Sequence, residues 1–305
     1  MTTASGRPGT AVGRADGTAD GAAEVSWFGT GEITLNRSDL AEMDAREKAR
    51  AAAFVFPADR HRYQVAHVML RRVLADHLGT DPSRLRFGRQ SCPTCGGPAG
   101  KPVLAGLYGA PAWGDTPGPD GPGTPRGADG AWPASRQAPS RTAGDGGLPG
   151  DGAGPGLSFS LAHSGEAVAI AVARGPVGID VEREAAGCVC SLASAMHPDD
   201  AAMVEGLPEP ERHRAVIRWW VRAEAVLKCA GTGIAHGMDA FPVLCAPVRS
   251  RVPPGPRLPL EPDVPGWAAA AGCSLAALSA PRGYQAALAL PGLRLIRYRW
   301  GSGGP

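Results

Sequence analysis

Asp180 and Glu182 stand two residues apart in VGIDVE, whose β-branched composition reads as a strand over Val177 to Val181. Side chains two apart on a strand share a face, so these carboxylates repel each other unless something positive lies between them. A hard divalent cation such as Mg²⁺, which takes oxygen ligands, is the simplest such partner. A solvent-facing edge strand would carry the same acids with no ion, and on this pair alone both readings stay open. Further along, Glu224 and Lys228 are four residues apart in a long amphipathic pattern. On a helix that spacing places them on one face, where its ordinary meaning is surface stabilisation of roughly 0.2–0.5 kcal/mol. Phosphate chemistry has its own candidates. Arg60, Arg62, Arg71 and Arg72 lie along one helix-like stretch with Arg50 before it, and Lys101 sits in a Gly-Lys-Pro turn. Such groups suit phosphate, and they suit a solvated surface equally.

Periodicity and turn residues define the elements that must hold these groups. A second buried-strand pattern covers Val168 to Val172, and Gly175-Pro176 between it and Val177 to Val181 predicts a β-hairpin. Glu224 and Lys228 belong to a helix, ERHRAVIRWWVRAEAVLKCAGTG. There Val216, Trp219, Trp220, Ala223, Val226 and Leu227 face a core, and Gly231 and Gly233 stop the element. A shorter helix opens before it at His197-Pro198-Asp199-Asp200. Upstream, EVSWFG from Glu24 predicts a strand. Ser38 and Asp39, as N-caps, predict the helix LAEMDAREKARAAAF, ended by Pro57. Asp59 opens another helix, with Tyr63, Ala66, Leu70, Val73, Leu74 and Leu78 as its apolar stripe and Gly79 as its stop. LRFGR and the segment after Lys101 read as short strands, residues 240–266 as Pro-rich connections, and CSLAALSAP, YQAALAL and LRLIRYRW as antiparallel strands. The class is α+β.

Composition limits how much of the 305 residues can fold, because 43 glycines and 30 prolines reach the level at which disordered additions are expected. They concentrate between residues 105 and 156, where 24 of 52 residues are Gly or Pro and no apolar pattern persists. That stretch reads as a disordered insertion, and residues 1–23, rich in Gly, Ala and Thr, as a disordered tail. A net charge of +2 gives no global reason to expect nucleic acid or an anionic membrane as partner. Neither a spanning apolar run nor the apolar core of a signal peptide is seen, so a cytoplasmic location is the expectation. Seven cysteines, an odd number, do not form a secreted disulfide framework. Cys92 and Cys95, with Cys188 and Cys190, have spacings that zinc uses; a tight turn at Pro93 and Gly96 without metal is the alternative.

The order and spacing of KARAAAFVFPADRHRYQVAHVMLRRVLADHLG, GKP, FSLAHSG, VGIDVE, WVRAEAVLKCAGTG and GYQAALA resemble the 4′-phosphopantetheinyl transferases of the surfactin-synthetase-activating (Sfp-like) type. These segments cover most of residues 45–290 outside the insertion. The resemblance implies two similar α/β halves, 24–104 and 157–300, packed about a pseudo-twofold axis with coenzyme A in the cleft, and a monomer. It implies transfer of phosphopantetheine from coenzyme A to a serine of an apo carrier protein, releasing adenosine 3′,5′-bisphosphate. On that basis Asp180, Glu182 and Glu224 would hold Mg²⁺ on the pyrophosphate, Glu224 would take the serine proton, and Lys228 would reach the same pyrophosphate. Ala162, His163 and Ser164, with Lys101 and Arg50, would grip the coenzyme's phosphates. Two positions depart from the family's usual pattern: Ala162-His163-Ser164 replaces SHS, and Ala223-Glu224-Ala225 replaces KEA. Arg222 is adjacent but about 100° away round a helix, so it is no assured substitute for the missing lysine. A non-catalytic coenzyme A or carrier-binding relative, and a metal-dependent phosphohydrolase, are the competing readings.

Overall fold

The computed structural model describes residues 22–91, 97, 100–106, 157–184, 190–234, 237–244, 273–292 and 295–301. The readings made for residues 1–21, for 107–156, for Cys92, Cys95 and Cys188, and for most of 240–266 fall outside them. Among the described residues the fold is α+β. Its elements are β1 (Ala22–Gly29), α1 (Arg37–Ala41), α2 (Ala45–Ala52), α3 (Pro57–Leu78), β2 (Arg86–Arg89), β3 (Pro102–Gly106), β4 (Leu157–Ser164), β5 (Ala167–Arg174), β6 (Gly178–Arg183), α4 (Pro198–Glu205), α5 (Glu209–Ala230), β7 (Cys273–Ala277), β8 (Tyr284–Pro291) and β9 (Leu295–Trp300).

Strict alternation in β5, AVAIAVAR, decides the layering. Its branched residues Val168, Ile170 and Val172 pack with Leu70, Leu74 and Phe159 in a core under α3. The alanines on its other face, Ala169, Ala171 and Ala173, are small enough to admit a second sheet, whose Val177, Ile179, Val181, Leu288 and Leu290 fill the middle core. A third core lies between that sheet and α5, with Trp219 and Leu227 opposite Ala287 and Ala289. The order through the molecule is thus helix, sheet, sheet, helix. One sheet runs β4-β5-β1-β9, the other β6-β8-β7, and β2 pairs with β3 apart from both.

Two expected pairings are corrected. β5 and β6 form no hairpin, because β5 already has β4 on one edge and β1 on the other. The hairpin is β4–β5, turned at Gly165 with φ +53°, while Gly175 (φ +97°) and the donor-less Pro176 carry the chain out of the ladder to pair β6 with β8. β9 pairs parallel with β1, not antiparallel with its predecessors, and Trp300 stacks on Trp27 with centroids 5.6 Å apart.

The helix expected from Leu40 to Phe54 is two helices. Asn36 caps α1 by accepting the amides of Ser38 and Asp39, and Asp44 caps α2 by accepting that of Glu47. Pro57 does not end a helix but begins α3 as its first residue, the position where a missing amide costs nothing. Gly79 closes α3 at φ 61° as the sequence predicts. β1 starts at Ala22, so Ala22 and Ala23 are buried strand residues and not part of a tail. Among the described residues no helix is long and apolar enough to cross a membrane.

Candidate functional site

β6 and α5 meet backbone to backbone, and that contact builds the site. A Cβ on Gly178 would lie 1.9 Å from the Ala225 carbonyl oxygen and 2.4 Å from the Cys229 amide nitrogen, so only glycine fits. Ile179 and Val181 turn into the core between the sheets, which leaves Asp180 and Glu182 on the α5 side, where Glu224 and Lys228 stand one turn apart.

Asp180 is 4% exposed, and its Oδ1 accepts from Lys228 Nζ at 2.6 Å. Its Oδ2 is buried with no hydrogen-bond partner. Burial pushes the Asp180 carboxyl up to about 7; Lys228 pulls it down, and the neighbouring Glu182 and Glu224 add repulsion. Glu224 is buried too, and desolvation raises it, with Lys228 opposing and Glu182 reinforcing the shift. Glu182 is half-buried and accepts from Ser164 Oγ at 2.6 Å. The three expected metal ligands and Lys228 are therefore electrostatic neighbours. As the side chains lie, no three acidic, histidine or cysteine groups among the described residues form a metal cluster, and the Lys228 ammonium is bonded to one Asp180 oxygen. The donor set still fits a hard cation. It offers only carboxylate oxygens, one of them buried and unpartnered, and burial and mutual repulsion leave its acids short of positive charge.

His163 lies beside this group. Its side chain reaches the surface, yet the protein packed round it lowers its pKa, and Arg62, then Lys228 and His67, lower it further. Arg62 is fixed there by its own bonds, Nε to the Gly165 carbonyl at 2.5 Å and Nη1 to Asp59 at 2.9 Å. The result is a cluster in which the His163 and His67 imidazoles lie near the Arg62 and Lys228 cations. Sequence reading missed His67, which is held by Glu47 Oε1 at 2.9 Å and stacked on Tyr63 at 4.0 Å. Its four-residue spacing from Tyr63 was the available signal.

The remaining candidates divide. Arg50 lies over the Phe54 ring at 5.5 Å, at the α2 end of an aromatic run through Tyr63 to His67. Lys101 is directed elsewhere: Nζ donates to the Val177 carbonyl at 2.5 Å, and burial lowers its pKa to about 8. Ala162 is buried in the core between the sheets and offers no polar side-chain atom. Arg71, read as part of a phosphate-facing surface, is fully buried and bonds to Glu47, Asp44 and the carbonyls of Pro82 and Leu85; its role is architectural. Arg72 is taken by Glu42 and Asp39, and Arg60 by the Phe54 carbonyl.

Arg222 does not replace the lysine missing at 223. It is buried and donates to the Val243 carbonyl at 3.1 Å, with desolvation lowering its pKa to about 10. Ala223 is itself sealed in the core beneath α5. Ala223→Lys is therefore expected to lower the thermal midpoint, at a cost of about 1–3 kcal/mol for overpacking. An unchanged midpoint would show that the lysine stem reaches solvent past Trp219 and its neighbours.

Comparison with known proteins bears on the same residues. A family model described as the 4′-phosphopantetheinyl transferase superfamily matches residues 176–270, which include Asp180, Glu182, Glu224 and Lys228. The 4′-phosphopantetheinyl transferase HetI of Nostoc sp. is 26% identical over 198 residues, 64% of this chain and 62% of that protein. A 4′-phosphopantetheinyl transferase of Bacillus subtilis is 20% identical over 204 residues, 67% of each chain. The transferase psf-1 of Bacillus pumilus is 30% identical over 87 residues, 28% of this chain and 37% of that one. The match thus spans a little under two thirds of HetI. Strand, helix and glycine contact thus place together the acids and the lysine of the stretch in which the chain is similar to 4′-phosphopantetheinyl transferases.

Proposed function

We propose that the chain transfers 4′-phosphopantetheine from coenzyme A to a serine of an apo acyl or peptidyl carrier protein domain, with Mg²⁺, releasing adenosine 3′,5′-bisphosphate. One observation carries this reading: Asp180 and Glu224 are buried carboxylates raised by desolvation and set against Lys228, inside the stretch that the family matches. Burying such charges costs stability, and sites that tolerate the cost are usually working sites.

The serine oxygen attacks the pantetheine-bearing phosphorus, and the bond to the bridging oxygen of the pyrophosphate breaks. Asp180, Glu182 and Glu224 would hold the cation, which when bound neutralises charge on the pyrophosphate. Glu224 takes the serine proton, directly or through water, a task suited to a carboxylate raised by burial. Lys228, one turn on, offers its ammonium to the same pyrophosphate when the coenzyme competes with Asp180 for it. His163, with Arg62 and His67 round it, receives a further phosphate of the coenzyme; its lowered pKa leaves it a neutral hydrogen-bonding group at neutral pH, so Arg62 and Lys228 supply the charge. Arg50 and Lys101 are assigned to the coenzyme's phosphates on the family resemblance alone.

Two halves about a pseudo-twofold axis, a monomeric state and a cytoplasmic location belong to the same reading. So does the dispensability of residues 107–155. β3 ends at Gly106 and β4 begins at Leu157, and these two strands pack against each other, so a short connection can join them. Replacing 107–155 by a short Gly/Ser linker is expected to preserve one cooperative thermal transition and turnover. Loss of that transition would assign the stretch to the core.

The reaction is tested by incubating the protein with coenzyme A, Mg²⁺ and a panel of apo carrier proteins, then weighing the carriers by intact mass spectrometry. One added phosphopantetheine, lost on chelation and regained with Mg²⁺, is the expected result. Unmodified carriers across the panel, with coenzyme A binding still seen by calorimetry, would replace this reading with the non-catalytic one.

A further inference from the structure

β4 and β6 are edge strands of different sheets lying side by side, and two serine hydroxyls bridge them. Ser160 Oγ accepts the Ile179 amide proton at 3.1 Å, and Ser164 Oγ accepts that of Arg183 at 3.1 Å. The donors are four residues apart and so are the acceptors, so a single register holds along the seam. Alternation sends the amides of Gly178, Asp180 and Glu182 the other way, toward β8. Two amides of an edge that would otherwise present them open are met by side chains, which oppose its slide past β4.

The two serines differ in where their own proton goes. A serine hydroxyl carries one proton, and an oxygen that accepts an amide can still donate it. Ser164 donates to Glu182 Oε2 at 2.6 Å, whereas among the described residues Ser160 makes only its amide bond. The hydroxyl of Ser164 thus reads backbone position on one side and fixes a carboxylate on the other. Glu182 is half-buried, so without this bond its carboxylate is free to turn to water.

We propose that Ser164 is a positioning residue: locked by the Arg183 amide, its hydroxyl holds the Glu182 carboxylate beside Asp180 and Glu224 in the orientation that binds a divalent cation, and it does not itself hold the coenzyme. This rests on the metal-site reading above. A carboxylate with one oxygen satisfied by a hydroxyl keeps the other for an ion, and outer partners of this kind govern ligand orientation. Ser160 provides the internal control, because it makes the same seam contact and touches no carboxylate.

The test uses the full chain with Ser164→Ala, Ser164→Thr and Ser160→Ala. Mn²⁺ binding is read from the electron paramagnetic resonance signal of the free ion, with coenzyme A present and no carrier. Thermal midpoint, half-saturating Mg²⁺ and the KM for coenzyme A are measured beside it. Ser164→Ala is expected to weaken Mn²⁺ binding about 10-fold or more with the KM for coenzyme A unmoved, and Ser164→Thr to stay within about twofold of the parent. Ser160→Ala is expected to lower the midpoint and leave Mn²⁺ binding alone. A raised KM for coenzyme A with unchanged Mn²⁺ binding in Ser164→Ala overturns the proposal by making the serine a coenzyme ligand. Equal weakening of Mn²⁺ by both alanine variants overturns it by making the seam merely structural, and so does a parent chain that binds no Mn²⁺. Ser164-dependent Mn²⁺ binding in a chain that modifies no carrier would reject the transferase reading and leave the positioning role standing.

Discussion

Asp180→Ala is expected to yield a folded chain whose phosphopantetheine transfer falls about 10³-fold or more at saturating Mg²⁺, with Glu224→Ala close behind. Asp180 is the most deeply desolvated acid of the site, and it contributes both the unpartnered Oδ2 and the oxygen that fixes Lys228. Removing it takes away a metal donor and frees the ammonium at once. The two effects share one contact, so Asp180→Ala combined with Lys228→Ala should be little worse than Asp180→Ala alone, although Lys228→Ala by itself should cost about 10²- to 10³-fold. Intact mass of the carriers measures transfer, and a retained thermal transition shows that the fold is not the cause. Near-normal turnover in Asp180→Ala would remove the metal assignment. Multiplying losses in the double variant would show that the two residues act separately.

The acids and the lysine were legible in sequence because each carries its geometry in its spacing. Two apart on a strand and four apart on a helix are local rules, and β6 and α5 obey them. Pairing was not legible in the same way. AVAIAV and VGIDV look alike as buried strands, and the glycine and proline between them fit a hairpin. What forbids it is the long-range arrival of β1 on the free edge of β5, which no window around residue 175 contains. The parallel seat of β9 beside β1 escapes local reading for the same reason. Arg71 failed differently. On a helix wheel it belongs to a basic face, but Asp44, the cap of α2, and Glu47 in its first turn bond to it, and only the tertiary structure reveals that. Arg222 and Ala223 are the instructive pair at the site. The sequence shows that a lysine is absent, while burial shows that neither the neighbour nor a restored lysine can easily supply its charge. Gly178 is a case where one residue type carried more than its spacing revealed. Its lack of a side chain lets β6 lie against Ala225 and Cys229, and that approach brings Asp180 to Lys228.

Asp180→Asn is expected to melt higher than the parent in chelator, and the gap should widen as pH rises. Burial raises the Asp180 carboxyl from its ordinary 3.8 to about 7. A group whose pKa is higher in the folded chain than in the unfolded one is protonated preferentially by the fold. Its stabilising contribution is complete below about 4, and it is lost progressively until the pH passes about 7. Asparagine keeps an oxygen for Lys228 and has no proton to lose, so it escapes this decline. Between pH 5 and pH 8 the difference between the two proteins should grow by roughly 2–3 kcal/mol, seen as a midpoint gap larger by about 5–10 °C. Other titrating groups, Glu224 among them, are present in both chains and largely cancel in the difference. Added Mg²⁺ should then raise the parent more than Asp180→Asn, since an ion that binds only the folded state stabilises it by an amount that grows with the logarithm of one plus its concentration over its Kd. The gap should close from the parent's side. Melting curves in chelator and in Mg²⁺ at pH 5 and pH 8 read all four corners. Parallel pH profiles in chelator would mean that Asp180 is ionised against Lys228 throughout this range, and a gap that Mg²⁺ leaves untouched would mean that the buried carboxylate serves the ion pair and not a cation.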